Sequence, residues 1–309
     1  MNPFYTDYSE YLSQIFPAKK VQKISVDAGR SCPNRDGTIG RDGCLYCDNR
    51  SFTPSYCSPG NSISRQIELG KDFFRRKYPT MCYLVYFQAF TFTYGVSAAE
   101  TERIVGEALS QKDVVGAVIG TRPDCFSPEI ADILAGFNRT APVMMEFGAE
   151  TSFDRTLERI NRGHTWHQTV EAVELASSRG LRCGLHLIAG LPGETLDDTL
   201  VTVEKTCRLP VDSLKLHQLQ LIKGTPLWRQ WHEGVSDISV LSLGEYLDFC
   251  CRVVEVVPRG IAIERFLSQA PPAMVEAPSW RLKNHEFTNL LISKLSGRAK
   301  SFSSLSIVE

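Results

Sequence analysis

Apolar residues recur along this chain in two alternating rhythms. Short apolar runs predict strands over 21–28, 81–88, 114–120, 142–148, 182–189 and 213–222. The stretches between them have helical spacing and helix-start signals. Ser97 with Glu100, Thr151 with Asp154, Thr165 with Gln168 and Thr195 with Asp198 have the spacing of capping boxes or close variants. Ser127 precedes Pro128, a proline suited to a first helical turn. After Ser97, Ile104 with Ala108 and Val105 with Leu109 share one face, while Glu102, Arg103 and Glu107 can face water.

Alternation of this kind implies parallel strands joined by crossover helices. Six units are too few for a closed eight-unit barrel. A partial, TIM-like (β/α)6 barrel fits the count, and so does a doubly wound sheet; periodicity leaves both open. After Ile222 the rhythm changes. Gly224-Thr225-Pro226 ends the last strand, a helix is expected over 243–256 and a strand over 260–267. Pro271, Pro272 and Pro278 interrupt the chain before a final helix near 285–295. The expected division is an N-terminal segment (1–20), a barrel core (21–239) and a small C-terminal extension (240–309), whose Ser- and Lys-rich end should fray.

With 309 residues, 43% of them hydrophobic, the chain can bury a sizeable core. A formal net charge of −1 gives no general attraction to nucleic acid or anionic membrane, so any RNA contact needs a local basic patch. The first residues are polar and aromatic, unlike a signal peptide, and no run approaches the roughly 18 apolar residues of a spanning helix. A cytoplasmic protein, without membrane contact, is the expectation. Ten cysteines in a reducing compartment then point to metal or redox chemistry rather than disulfides.

Cys32, Cys44 and Cys47 lie in a Gly- and Asp-rich loop directly after the first predicted strand. Such a loop lets three thiolates converge, and thiolates are the preferred ligands of iron–sulfur centres. Three ligands for four irons leave one iron open to a small molecule that offers an amine and a carboxylate. Zinc is the plain alternative: Cys-x2-Cys is a zinc half-site and Cys57 could complete it. Only one such pair is present, and its place after the first strand favours iron–sulfur.

With an aromatic, Tyr46, just before the last cysteine, the loop resembles that of the radical S-adenosylmethionine (SAM) superfamily. The spacing here is Cys-x11-Cys-x2-Cys, where the superfamily usually has Cys-x3-Cys-x2-Cys. The resemblance implies a [4Fe–4S] cluster on Cys32, Cys44 and Cys47, SAM on the open iron, and one-electron cleavage to a 5′-deoxyadenosyl radical. It also implies an electron donor such as flavodoxin or ferredoxin. Gly120-Thr-Arg122-Pro-Asp124-Cys, Glu146-Phe-Gly-Ala-Glu150-Thr, Asn161-Arg162-Gly163-His164-Thr165 and Leu214-Lys215-Leu216 with Ile222-Lys223-Gly224-Thr225 are similar to segments of the Elongator catalytic subunit's radical SAM domain. Together with Tyr86-Phe87-Gln88-Ala89-Phe90 and Gly190-Leu-Pro-Gly193-Glu194, the pattern looks like the bacterial YhcC/YtqA branch, over about residues 15–270.

That resemblance implies a tRNA substrate, with conversion of a carboxymethylaminomethyl wobble uridine to its aminomethyl form. A radical enzyme acting on a small metabolite, and a zinc-stabilised binding module, are the alternatives. No second Cys-x2-Cys occurs, which argues against a second cluster and so against methylthiotransferase chemistry. Tyr46, Gln88, Glu150, His186, Gly190, Pro192 and Gly193 are the candidate cofactor contacts. Arg122, Arg162, His164, Lys215 and Lys223 are the candidate substrate contacts. Each has a plainer reading. Gly190 to Gly193 could be an ordinary strand-to-helix turn. Glu146 and Glu150 could pair with Arg122 or Arg162. His186 could be a bonded core histidine. Lys215, His217 and Lys223 could meet phosphates or simply be solvated.

Overall fold

The computed structural model describes residues 2–75, 81–235 and 237–305, with backbone only from 299 onward. Helix α1 (Tyr8–Ile15) leads into β1 (Val21–Val26), α2 (Ile63–Arg75), β2 (Cys82–Phe87), α3 (Ala98–Leu109), β3 (Val114–Thr121) and α4 (Pro128–Asn138). There follow β4 (Val143–Glu150), α5 (Asp154–Arg159), α6 (Trp166–Ser178), β5 (Arg182–Ala189), α7 (Leu196–Cys207) and β6 (Ser213–Gln218). The chain closes with β7 (Leu221–Ile222), α8 (Pro226–His232), α9 (Leu243–Val256), β8 (Ala262–Arg265), β9 (Val275–Ala277) and α10 (Asn284–Leu305).

Seven strands form one parallel sheet in the order β1-β2-β3-β4-β5-β6-β8. A doubly wound sheet would reverse direction at a switch point. This order never reverses, so the sheet curls into a partial barrel. The seventh strand comes from the C-terminal extension, with Ser213 opposite Ala262 and Leu214 opposite Ile263. β1 and β8 are the two free edges of the curl. α1 lies at that seam: Asp7 bridges Ile263, and Phe16 packs on Leu84, Tyr86, Val118 and Met144 at the lower end of the barrel interior.

Strand alternation sorts the side chains. On β2, Val85 and Phe87 face the helices and join the main core with Ile67, Ile104 and Val105, whereas Leu84 and Tyr86 face inward. Each such fully buried aliphatic side chain contributes about 1.5–3 kcal/mol. Reciprocal capping boxes start α6 at Thr165 with Gln168 and α7 at Thr195 with Asp198, and Ser97 and Ser127 cap α3 and α4.

Three expectations are corrected. Thr151 does not cap a helix: its hydroxyl bonds Glu194 at 2.6 Å, and Asp154 accepts from the Trp166 amide at 2.6 Å, so α5 starts without a side-chain cap. The strand expected over 213–222 divides after Gln218, whose side chain accepts from the Ser268 amide at 2.7 Å; Leu221 and Ile222 then pair antiparallel with β9. The chain end is helical in backbone to Leu305 rather than frayed. Among the described residues no helix is long and apolar enough to cross a membrane.

Candidate active site

The inward strand positions and the loops at the strands' C-terminal ends enclose one cavity of about 1230 Å³. Cys32, Cys44 and Cys47 are on its wall, and none of the three is in a disulfide. Their loop is pinned to the segment after α5. Asn34 Nδ2 donates to the carbonyls of Asn161 (2.6 Å) and Arg162 (3.0 Å), Asn161 Nδ2 donates to Gly43 O (2.8 Å), and Leu45 N donates to Ile160 O (3.0 Å). Asn161 and Gly163 take left-handed conformations, φ +54° and +73°, that turn the chain back over the loop. A Cβ on Gly163 would stand 2.9 Å from Asn34 Oδ1, so only glycine permits this approach.

The donor set fits an iron–sulfur cluster. The buried Cys44 sulfur accepts from Asn34 Nδ2 at 3.5 Å and from the Arg162 guanidinium at 3.7 Å. A fixed cation and an amide N–H beside a sulfur tune a cluster bound there. Among the described residues no three His, Cys, Asp or Glu side chains stand together at metal-ligand spacing, so the cysteines share a wall rather than a preformed cage. Cys57 takes no part: its thiol donates to Ser25 O at 2.9 Å, and burial raises it to about 12. This removes the fourth ligand that a zinc site would need from this loop.

Next to the cysteines lies a second set of groups. β4 bulges between Gly148 and Glu150, and Glu150 has φ +66°, a conformation that costs a non-glycine residue energy and often marks a working site. Burial raises the Glu150 carboxyl above its usual range, against the pull of Arg162 at 3.4 Å and a hydrogen bond from Tyr46. Gly148 is what lets these groups cross β4: a Cβ there would meet Arg162 Nη2 at 2.6 Å and Glu150 Oε1 at 2.7 Å. Arg122, 2% exposed, is held by two 2.9 Å bonds to Asp124 and keeps Nη1 buried without a partner. Gln88 lines the cavity and accepts from Ser25 Oγ at 3.0 Å.

Deeper in the barrel, Glu146 accepts from Lys215 at 2.5 Å and from His186 Nε2 at 2.8 Å, and also contacts Lys23. Glu264 completes the group, 2.6 Å from Lys23 and 3.1 Å from Lys215. Burial, which alone would raise Glu146, is overcome by Lys215 and Lys23, so its carboxyl lies well below the usual range. Burial lowers His186 to about 4 with help from Lys215, and lowers Lys215 to about 8 against the pull of Glu146 and Glu264. At neutral pH His186 is uncharged, while Glu146, Lys23 and Lys215 keep their charges.

The structure therefore brings Tyr46, Gln88, Glu150, His186, Arg122, Arg162 and Lys215 onto the wall that bears the three cysteines. Gly190, Pro192 and Gly193 are not on that wall. Gly190 and Gly193 have φ of +86° and +77°, and added Cβ atoms would meet Leu241 and Arg159, as in a strand-to-helix turn. His164 is buried behind the wall, its Nε2 donating to Gly148 O at 3.1 Å; burial lowers it to about 2, so it is a neutral strut. Lys215 is 2% exposed and tied into ion pairs, which removes it as an outer phosphate contact. Lys223 is half-exposed, 3.6 Å from Glu276, and does not line the cavity. Lys23 and Glu264 escape a motif-based reading. The available signal is a charge within a short strand, Lys23 in Val-Gln-Lys-Ile-Ser-Val and Glu264 in Ala-Ile-Glu-Arg.

Residues 29–206 match the Radical SAM superfamily, and residues 211–296 match the Radical_SAM C-terminal domain. YhcC of Escherichia coli K12 is 35% identical over 263 residues, spanning 85% of this chain and 83% of that protein. YtqA of Bacillus subtilis is 32% identical over 279 residues, 90% of this chain and 86% of that protein. The tRNA uridine(34) acetyltransferase of Methanocaldococcus jannaschii is 25% identical over 187 residues, covering 59% of this chain and 33% of that protein. Among solved structures, the archaeal Methanocaldococcus infernus Elp3 superposes with a TM-score of 0.65 at 17% identity, over 91% of this chain; the chain spans 64% of that protein's length. A barrel whose cysteine loop opens onto its own interior, matched over most of its length to these relatives, places this chain in the radical SAM superfamily, enzymes that work with a [4Fe–4S] cluster and S-adenosylmethionine.

Proposed function

We propose that this enzyme modifies the side chain of a wobble uridine in tRNA, converting carboxymethylaminomethyl uridine to aminomethyl uridine. The observation that carries the RNA reading is the charge of the cavity wall. Among the described residues, eight lysine and arginine side chains line it against four carboxylates, in a chain whose net charge is −1. The cavity wall thus carries an excess of cations that composition could not reveal, which favours an anionic polymer. Phe52 and Phe90, both on the cavity wall and more than a third exposed, offer faces on which an unstacked base can rest. A relative named for its action on uridine 34 of tRNA is similar to this chain over 187 residues.

In this reading Cys32, Cys44 and Cys47 hold the cluster, while Arg162 and Asn34 bond the Cys44 sulfur. Glu150, Tyr46, Gln88 and Arg122 would hold the SAM. When bound, cluster and SAM would supply a 5′-deoxyadenosyl radical to take a hydrogen atom from the glycine-like CH2, whose nitrogen and carboxylate neighbours stabilise the carbon radical; loss of one electron to an acceptor such as the oxidised cluster, and hydrolysis of the resulting imine by water, would leave the aminomethyl group and release the two carbons as glyoxylate. The chain's own part is positioning: the barrel walls exclude water and fix the CH2 relative to the cofactor.

The test is anaerobic reconstitution with iron, sulfide, dithionite and SAM, with tRNA carrying the carboxymethylaminomethyl group. Aminomethyl uridine in digested tRNA, with an equivalent of 5′-deoxyadenosine, is expected. Release of 5′-deoxyadenosine with no change in any tRNA nucleoside overturns the substrate while leaving the radical chemistry intact.

A further inference from the structure

The four charges at the floor of the barrel come from four of the seven strands, both edges included. Lys23 is on β1 at one edge, Glu264 on β8 at the other, and Glu146 and Lys215 are on β4 and β6. Each lysine meets both glutamates, so signs alternate around a square that spans the interior and crosses the seam. Tyr86 faces both ammonium groups, 5.1 Å from Lys23 and 4.9 Å from Lys215, and Tyr8 lies 4.5 Å from Lys23. All six side chains line the same cavity as the cysteines.

Such a square is a poor source of stability. Removing four charges from water costs more than their attraction reliably returns, and apolar residues of equal volume often serve as well. Closed barrels of this type fill the same positions with branched aliphatic residues. Here the space is kept open and charged. The floor shares one cavity of about 1230 Å³ with the cysteine loop, large enough for a cofactor and a substrate group together.

The charge balance selects what can bind. A lone anion or cation entering the square leaves one of its own charges, or one of the protein's, without a counterpart in a dry site. A group with an ammonium and a carboxylate one carbon apart can insert between one lysine and one glutamate and leave every charge paired. We propose that Lys23, Glu146, Lys215 and Glu264 form the specificity subsite for the zwitterionic end of the substrate, an N-substituted glycine. The inference rests on the reading above for the presence of substrate in this cavity, and it adds which residues recognise it. His186, uncharged and bonded to Glu146, orients that carboxylate.

The test is equilibrium binding to the reconstituted enzyme without reductant. The probes are free 5-carboxymethylaminomethyluridine, 5-aminomethyluridine, 5-carboxymethyluridine and N-benzylglycine. The doubly charged nucleoside should bind about tenfold or more tightly than either singly charged one, since leaving a desolvated charge unpaired is costly. In Glu264→Gln and Lys215→Met that preference should collapse. The wild-type comparison requires no folded variant, and thermal melting identifies a variant that does not fold. Equal affinity for all three nucleosides, or an unchanged preference in both folded variants, overturns the subsite and reduces the square to a latch across the seam. N-benzylglycine bound as tightly as the nucleoside supports the subsite but overturns the tRNA reading. Nucleosides bound without charge preference do the reverse.

Discussion

The rim and the floor of this cavity are built in opposite ways. The rim is a loop structure: Cys32 to Cys47, the turn at Asn161 to Gly163 and the bulge at Glu150, held by side chains that bond backbone carbonyls. Five of its residues, Gly37, Gly43, Glu150, Asn161 and Gly163, have positive φ. The floor is a strand structure: Lys23, Glu146, His186, Lys215 and Glu264 sit at interior positions of five strands and bond chiefly one another, with Tyr86 a further partner of Lys215. The rim can accept a large cluster because a loop adjusts. The floor can discriminate because strand register holds its charges in place.

Breaking the rim should have the largest effect. Cys44→Ala should abolish both the brown cluster absorbance and 5′-deoxyadenosine release, while leaving binding of 5-carboxymethylaminomethyluridine to the floor; loss of nucleoside binding as well would mean that the two regions are not separable. Next comes Glu146→Ala, which leaves two buried lysines with a single carboxylate between them. Urea denaturation should show a loss of about 3–5 kcal/mol, the usual result of removing one partner from a buried ionic group; a loss within experimental error would show that water already solvates the floor.

A smaller effect is expected from Gly148→Ala, whose Cβ displaces both Arg162 and Glu150. SAM affinity should fall roughly tenfold, the scale of one mispositioned charged contact, without a change in nucleoside binding. An effect on the nucleoside alone would assign Glu150 to the substrate. pH sharpens the contrast further. Lys215 carries its proton below about 8, with Glu146, Glu264, Lys23, Arg265, His186, His217, Tyr86 and Tyr8 around it. As pH rises through that value the cation that meets the substrate carboxylate is lost, so affinity should decline above it and the step should vanish in Lys215→Met. The smallest change is the control: Thr165→Ala removes the cap of α6 and should cost about 1 kcal/mol in thermal melts, with no shift in either binding assay.

The rim was legible in the sequence because its chemistry is local. Three cysteines and Tyr46 lie in one loop, the Asn-Arg-Gly-His turn is a contiguous motif, and reactive residue types concentrated in a short stretch declare themselves. Helix caps were legible for the same reason, at Thr165, Thr195, Ser97 and Ser127; at Thr151 the rule failed because a tertiary partner, Glu194, took the hydroxyl. The floor was only half legible. Glu146, His186 and Lys215 stood out as polar residues within apolar strands, but Lys23 and Glu264 are 241 positions apart and carry no motif.

The sequence by itself determined the alternating strands and helices and the cysteine loop, because these follow from periodicity and spacing over a few residues; the chemistry of the loop came from its resemblance to a family rather than from the spacing. Only the tertiary structure decided that the sheet curls rather than reverses, that a seventh strand from the C-terminal extension completes it, and that Lys23 meets Glu264 across the seam. Those outcomes depend on strand order and register, which are set by the packing of distant segments against one another and leave no trace in any single stretch of chain.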